Sequence, residues 1–138
     1  MKISLALHLI GVVMCLGGVL FISRFLALAL NDSGLVESKF ANAIARSYKI
    51  WAVWGLGLLL ATGLYQIFYM GIAYYMKQGW FHTKLLFIIG LIALVFFLGR
   101  ACQRAVAGEH LAKGTLMAIH GSAGLVLLFS VFLTLLGR

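Results

Sequence analysis

The sequence predicts an all-α fold: a four-helix transmembrane bundle with one interfacial amphipathic helix between spans one and two. Three observations predict it. Hydrophobic residues make up 64% of the 138 residues and charged residues only 10%, against about 45–50% and 25% in soluble domains. The mean hydropathy of +1.09 leaves too little polar surface to coat a water-soluble globule. The apolar residues fall in four long runs, and each crossing of a bilayer needs about 20 of them. A soluble enzyme, a disordered regulator and a disulfide-built secreted scaffold are excluded. A single integral membrane domain, 1–138, accounts for the length. The first apolar run is too long for a cleavable signal peptide and lacks its small-residue cleavage site.

Span one covers residues 3–30 and is interrupted only by His8, Ser23 and Arg24. Asn31-Asp32-Ser33-Gly34 is a turn signal with helix-capping residues. Residues 35–49 are amphipathic at helical spacing. Phe40, Ile44, Tyr48 and Trp51 fall on one side, while Lys39, Asn42, Arg46 and Lys49 lie elsewhere. This is the interfacial helix, and it leads into span two. Span two covers 50–70, where Gly55, Gly57, Ala61 and Gly63 allow close helix approach and Gly57-xxx-Ala61 is a small-xxx-small step. Thr62 and Gln66 form a polar i,i+4 step that should face the bundle. Residues 70–80 read as an interface loop with an aromatic belt of Tyr74, Tyr75 and Trp80. Span three covers 81–99 and is followed by Arg100 and Arg104; span four covers 115–136. With no proline in the chain, no span carries a proline kink.

The net charge of +8 comes from eleven Lys and Arg against Asp32, Glu37 and Glu109. These cations cluster at span ends, where they meet lipid headgroups and set orientation, so membrane lipids and not nucleic acid are the expected partners. Seven basic residues lie on the side of the 31–49 and 100–114 connections and four on the other. That asymmetry predicts both termini outside the cytoplasm of a bacterial inner (cell) membrane. Cys15 and Cys102 form no CxxC pattern, and no disulfide is expected between them.

Ionisable residues inside spans are costly and suggest function by default. Here they are His8, Arg24, His82, Lys84 and His120. His8, Gly11, Cys15 and Gly18 share a face of span one, whose small residues could admit a flat group or a neighbouring helix. At 1.5 Å per residue, His8 lies about 8 Å from one membrane surface and His120 about 8 Å from the other. In a core of about 30 Å this separates the two by roughly 15 Å. His8 and His82, on parallel spans, could serve one metal or one haem; His8 and His120 could not. Each histidine could also be only an interhelical hydrogen-bonder, and Arg24 and Lys84 could snorkel to headgroups. No P-loop, nucleophile elbow or GxGxxG is present, and three carboxylates in connections cannot build a carboxylate dyad within the membrane. Chemistry needing only imidazoles and cations remains, and haem fits it: apolar walls for the ring, His for iron, Lys or Arg for propionates.

Leu7-His8-Leu9-Ile10-Gly11-Val12-Val13, continued by Gly17-Gly18 and Ser23-Arg24-Phe25, resembles the first span of the HemJ-type protoporphyrinogen IX oxidases. Trp80-Phe81-His82-Thr83-Lys84-Leu85 resembles that family's Trp-x-x-x-Lys entry to a later span. Leu60-Ala61-Thr62-Gly63-Leu64 is similar to a segment of the CopD-like copper-resistance membrane proteins. The resemblance covers residues 5–30 and 50–100. It implies haem b in a helical bundle and oxidation of a porphyrinogen, with His8, Arg24 and Lys84 at the essential positions. The chain departs from the HemJ-type pattern at Gly108-Glu109-His110-Leu111, where that family carries an Asn-Glu-x-Pro-like segment.

The expectation is therefore a haem b-binding membrane oxidoreductase that passes electrons from a hydrophobic reductant, a porphyrinogen or quinone-like molecule. His8 and His82 are the expected iron ligands. Gly11 and Lys84 join them in the cofactor site, and Arg24 and Lys84 are the expected catalytic residues. The alternatives are a non-catalytic subunit of a larger respiratory-type membrane complex and CopD-like copper handling. A homo-oligomer fits any of them.

Overall fold

A computed structural model describes residues 2–136. Arg138, counted in the charge asymmetry above, lies outside them. The described chain is α-helical and contains four helices long and apolar enough to cross a membrane. It is an all-α integral membrane protein.

The elements are α1 (Lys2–Ala29), α2 (Ser38–Tyr48), α3 (Trp54–Met70), α4 (Ile72–Met76), α5 (Gly79–Val106) and α6 (Lys113–Leu136). A π-helical stretch, Lys49–Val53, joins α2 to α3 without a break, so span two and its amphipathic lead-in are one helix of 33 residues. π-turns inside α-helices mark a local change of direction. Here the helix changes neighbours: α2 packs on both α5 and α1, whereas α3 packs on α1 and forms no comparable seam with α5.

One seam organises the bundle. α1 and α3 run antiparallel, and the facing pairs are Ser4 with Gln66, His8 with Thr62, Gly11 with Leu59, Cys15 with Gly55 and Gly18 with Ala52. The residue numbers of every pair add to 70. The steps of four and three along α1 are the spacing of a left-handed coiled-coil contact. Lipid tails are as apolar as leucine, so helix association in a membrane rests on close packing and hydrogen bonds. Both are present. In the middle of the seam the backbones touch: a Cβ added at Gly55 would stand 2.6 Å from the Cys15 amide nitrogen, and one at Gly11 would stand 2.7 Å from that of Leu59. At the end nearest the termini, the rungs are polar.

This corrects the small-residue reading of span two. Gly57 meets nothing within 4 Å and Ala61 is exposed, so the Gly57-xxx-Ala61 step faces away from the bundle. The face that approaches α1 is Ala52, Gly55 and Leu59. A similar shift applies to α2 and the π-helical stretch after it. The large residues Phe40 and Trp51 are exposed, while Ala41, Ala45 and Ala52 turn towards the bundle with Ile44 and Tyr48. Alanines on that side let α2 lie close to two helices at once.

α5 continues to Val106, seven residues beyond the expected end of span three. Arg100, Gln103 and Arg104 face outward, but Ala101, Cys102 and Ala105 are buried and extend the core stripe through this segment. Tyr48 fastens α2 to α5 here by donating its hydroxyl to the Val95 carbonyl at 2.7 Å. Gly99 leaves the room for it, since a Cβ there would lie 2.5 Å from the hydroxyl oxygen. Gly99→Ala is therefore expected to cost about 1 kcal/mol, the worth of one hydrogen bond. In a Tyr48→Phe background the same change should cost little, which a double-mutant cycle of unfolding in detergent measures.

The connections at the far end from the termini are clamped together. Asn31 Oδ1 accepts the Ser33 and Leu35 amides at 2.9 and 3.0 Å, closing the turn. The Leu111 amide donates to the Gly34 carbonyl at 2.8 Å, tying the α5–α6 connection to the α1–α2 connection. Gly34 has φ +72 and the His110 ring lies against it, so a side chain there would meet both a strained backbone and a filled space. At the termini end, the expected interface loop contains the five-residue α4, entered through Gly71 at φ +88. Tyr75 packs against Trp80 and Phe81 there, as an aromatic belt should.

Candidate functional site

The first polar cluster is built on the α1–α3 seam. His8 Nδ1 lies 3.0 Å from Thr62 Oγ1. The Thr62 hydroxyl donates to the Leu58 carbonyl at 2.7 Å, within its own helix. Its proton is therefore committed, and the hydroxyl oxygen accepts from His8. That fixes the neutral imidazole as the Nδ1–H tautomer and leaves a lone pair on Nε2. The Leu59 backbone is a second hydrogen-bonding partner of the His8 ring. Gly63 lies beneath the ring, where a Cβ would stand 3.3 Å from His8 Cε1. One turn nearer the terminus, the Gln66 amide donates to Ser4 Oγ at 3.5 Å. Thr62 is buried and Gln66 half-buried, as the polar step in span two required.

Lys84 stands near the start of α5, at the same end of the bundle. Its ammonium lies 4.6 Å over the Trp80 ring. No carboxylate is among its described partners. The Trp80–Lys84 spacing of four residues puts ring and ammonium on one face of the helix, which is what the contact needs.

His82 is placed differently from the paired-ligand expectation. It is exposed in the first turn of α5, its Nδ1–H donates to the Gln78 carbonyl at 3.3 Å, and its ring meets Phe81. These partners all belong to its own turn, and the structure records no contact between His82 and His8. Gly11 also differs from the expected cradle. α3 fills the space beside it, so of the two readings of that face, a flat group or a neighbouring helix, the helix occupies it. Arg24 lies sixteen residues from His8 on α1, about 24 Å along the axis. His8 and Lys84 are thus brought to one end of the bundle and Arg24 to the other.

A second cluster lies on the α1–α6 seam. His120 Nδ1 is 3.0 Å from the Leu20 carbonyl and 3.3 Å from Ser23 Oγ. A carbonyl can only accept, so this ring is also the Nδ1–H tautomer, with its lone pair on Nε2. Ser23 Oγ gives its own proton to the Val19 carbonyl at 2.7 Å. Leu20 and His8 are twelve residues apart, about 18 Å along α1, and the two imidazoles therefore occupy different levels, as the depth argument required. No group of three or more His, Cys, Asp or Glu that could hold a metal ion is found among the described residues. Cys15 and Cys102 are both buried free thiols. The one ion pair among the described residues, Arg104 with Glu109 at 3.1 Å, lies at the clamp.

Sequence reasoning did not find the His8–Thr62 bond or the Leu20–His120 bond. The signal for the first was there: the steps 4, 8, 11, 15, 18 in span one and 52, 55, 59, 62, 66 in span two are complementary heptad spacings. Comparison with known protein families, with curated proteins and with solved structures found no match to this chain.

Proposed function

We propose that this protein is a haem-binding membrane redox protein, in which His8 Nε2 would hold the iron of a b-type haem at the termini end of the bundle. The observation that carries the reading is the His8–Thr62 pair. A metal-bound imidazole characteristically donates its other N–H to a fixed acceptor, which sets its tautomer and orientation. Thr62 is such an acceptor, held in place by its own bond to Leu58.

The residues present fit the group in three respects and limit it in a fourth. In the Nδ1–H tautomer, Nε2 carries a lone pair. Outside the polar rungs, the exposed residues Leu5, Leu9 and Leu64 are apolar, as a porphyrin ring requires. Lys84, a cation without a described carboxylate partner, suits a propionate. The limit is that α3 closes the Gly11 face, so a haem would have to lie on another side of His8. Bound there, a haem supplies one-electron chemistry. The chain's own contributions are to orient the imidazole through Thr62, to exclude water with the packed seam below His8, and to neutralise a propionate with Lys84. A hydrophobic reductant, quinone-like or porphyrinogen, would reach the site from the lipid. The resemblance to the HemJ-type oxidases points to the same class of chemistry.

The termini are proposed to face away from the cytoplasm. A cysteine introduced at Lys77 should react with an impermeant reagent in intact cells, and one at Ser38 should not; the reverse pattern would invert the topology. The functional reading is tested by titrating the purified full-length chain in detergent with haemin. A saturating Soret shift that is lost in His8→Asn supports it, because asparagine retains an N–H for Thr62 but has no ligand nitrogen. Equal binding by wild type and His8→Asn would overturn it.

A further inference from the structure

We propose that the groove between α1 and α2 binds one aminophospholipid of the phosphatidylethanolamine class, with an acyl chain lying along the groove and the ammonium held by Glu37. This site lies at the clamp end of the bundle and is independent of a haem at the termini end.

The groove follows from the π-helical stretch. From Ser4–Gln66 to Gly18–Ala52 the facing residues of α1 and span two close against each other, with numbers adding to 70. Beyond Lys49–Val53 the two helices still touch, but they no longer close along one side, and a cavity of about 710 Å³ opens there. Its walls pair off as Ile22 with Ser47, Phe25 with Ile44 and Ala29 with Phe40. Those numbers add to 69, one less than along the seam, because a turn closed from i to i+5 takes in one more residue. The floor is covered and the rim is open: Ile22 is 5% exposed, whereas Phe25 and Phe40 are 56% and 54% exposed. The volume falls within the about 300–1,000 Å³ of sites that hold small molecules.

The chemistry changes along its length, as it does along a lipid. From Ile22 to Ala29 the groove runs about 10 Å beside α1 between largely apolar walls. Towards the clamp, at the headgroup level that the exposed cations Lys39 and Arg46 mark, it ends on Asn31 and Glu37. Asn31 Oδ1 is spent on the Ser33 and Leu35 amides. Glu37 is not spent. It stands at the N-cap of α2 without a side-chain capping bond, and the ion pair among the described residues, Arg104 with Glu109, does not involve it. In a chain with three carboxylates against eleven Lys and Arg, the one charge lining this apolar groove is therefore negative. A primary ammonium offers Glu37 both the opposite charge and N–H donors. A choline head offers the charge without donors, and a phosphatidylglycerol head brings a net negative charge to a carboxylate. The preference at the groove is thus opposite to the one that a net charge of +8 gives the surface as a whole.

The test is native mass spectrometry of the purified full-length protein in detergent, titrated with dioleoyl phosphatidylethanolamine, phosphatidylcholine or phosphatidylglycerol. One retained phosphatidylethanolamine per chain is expected, bound about tenfold more tightly than either other lipid, as one charge-assisted hydrogen bond at a wet site gives. Glu37→Gln should bring the ethanolamine lipid to the level of the choline lipid. Ala43→Trp, at an exposed position lining the groove, should fill it and remove the retained lipid while helical content stays unchanged. No retained lipid, equal retention of all three, a preference for phosphatidylglycerol, or an ethanolamine preference that survives Glu37→Gln would each overturn the site. A lipid-free dimer that Ala43→Trp dissociates would overturn it too, by making a second copy of the chain the occupant.

Discussion

His8→Ala is expected to lower haem affinity by at least about 100-fold, more than the 10–100-fold that follows from losing an outer-shell partner of a metal ligand. The reason is the division of labour around the ring. Nδ1 is spent on Thr62 at 3.0 Å, and in the proposed reading Nε2 is the nitrogen that would take iron. Thr62→Val should give the smaller, outer-shell effect of about 10-fold, because Nε2 survives but the ring loses its fixed acceptor. His82→Ala should change affinity less than Thr62→Val does, since the His82 ring is bonded to its own turn. His110→Ala should change nothing, since His110 sits on Gly34 in the clamp. Haemin titrations followed at the Soret band measure all four. Equal losses in His8→Ala and His110→Ala would point to general misfolding and remove the argument for a specific ligand.

The second large effect concerns the seam that holds His8 in place. Gly55→Leu must push a side chain into the Cys15 backbone, where even a Cβ would stand 2.6 Å from the amide nitrogen. Backbone cannot step aside as a side-chain tip can, so the cost should reach or exceed the upper end of the about 1–3 kcal/mol typical of overpacking. Gly57→Leu, two residues along the same helix, faces open space and should stay within about 0.5 kcal/mol. Reversible unfolding in mixed micelles compares the pair. The His8–Thr62 bond belongs to the same register, so Gly55→Leu should also weaken haem uptake while Gly57→Leu leaves it intact.

The fold was legible because its strongest signal, long apolar runs broken by basic connections, is set by the solvent and needs no knowledge of packing. Which glycines pack was not. Gly55 and Gly57 look alike in sequence, and only the partner helix distinguishes a glycine 2.6 Å from a backbone from one facing nothing. The end of α5 was misplaced for a related reason. Arg100 and Arg104 suggested a span end, yet the small buried residues Ala101, Cys102 and Ala105 carry the helix onward. At the site, depth along the helix correctly separated His8 from His120. Depth could not tell that the His82 ring would bond its own turn, because that is set by rotation about the helix axis. Thr62 was expected to face the bundle but was not joined to His8; the heptad complementarity of the two spans was the missed clue.

The most direct measurement is the dithionite-reduced minus oxidised spectrum of the purified wild-type protein after saturation with haemin. The account predicts a Soret band that shifts on reduction, with resolved α and β bands of a b-type haem, in a protein of unchanged helical content. A spectrum identical to that of free haemin in the same detergent would contradict it.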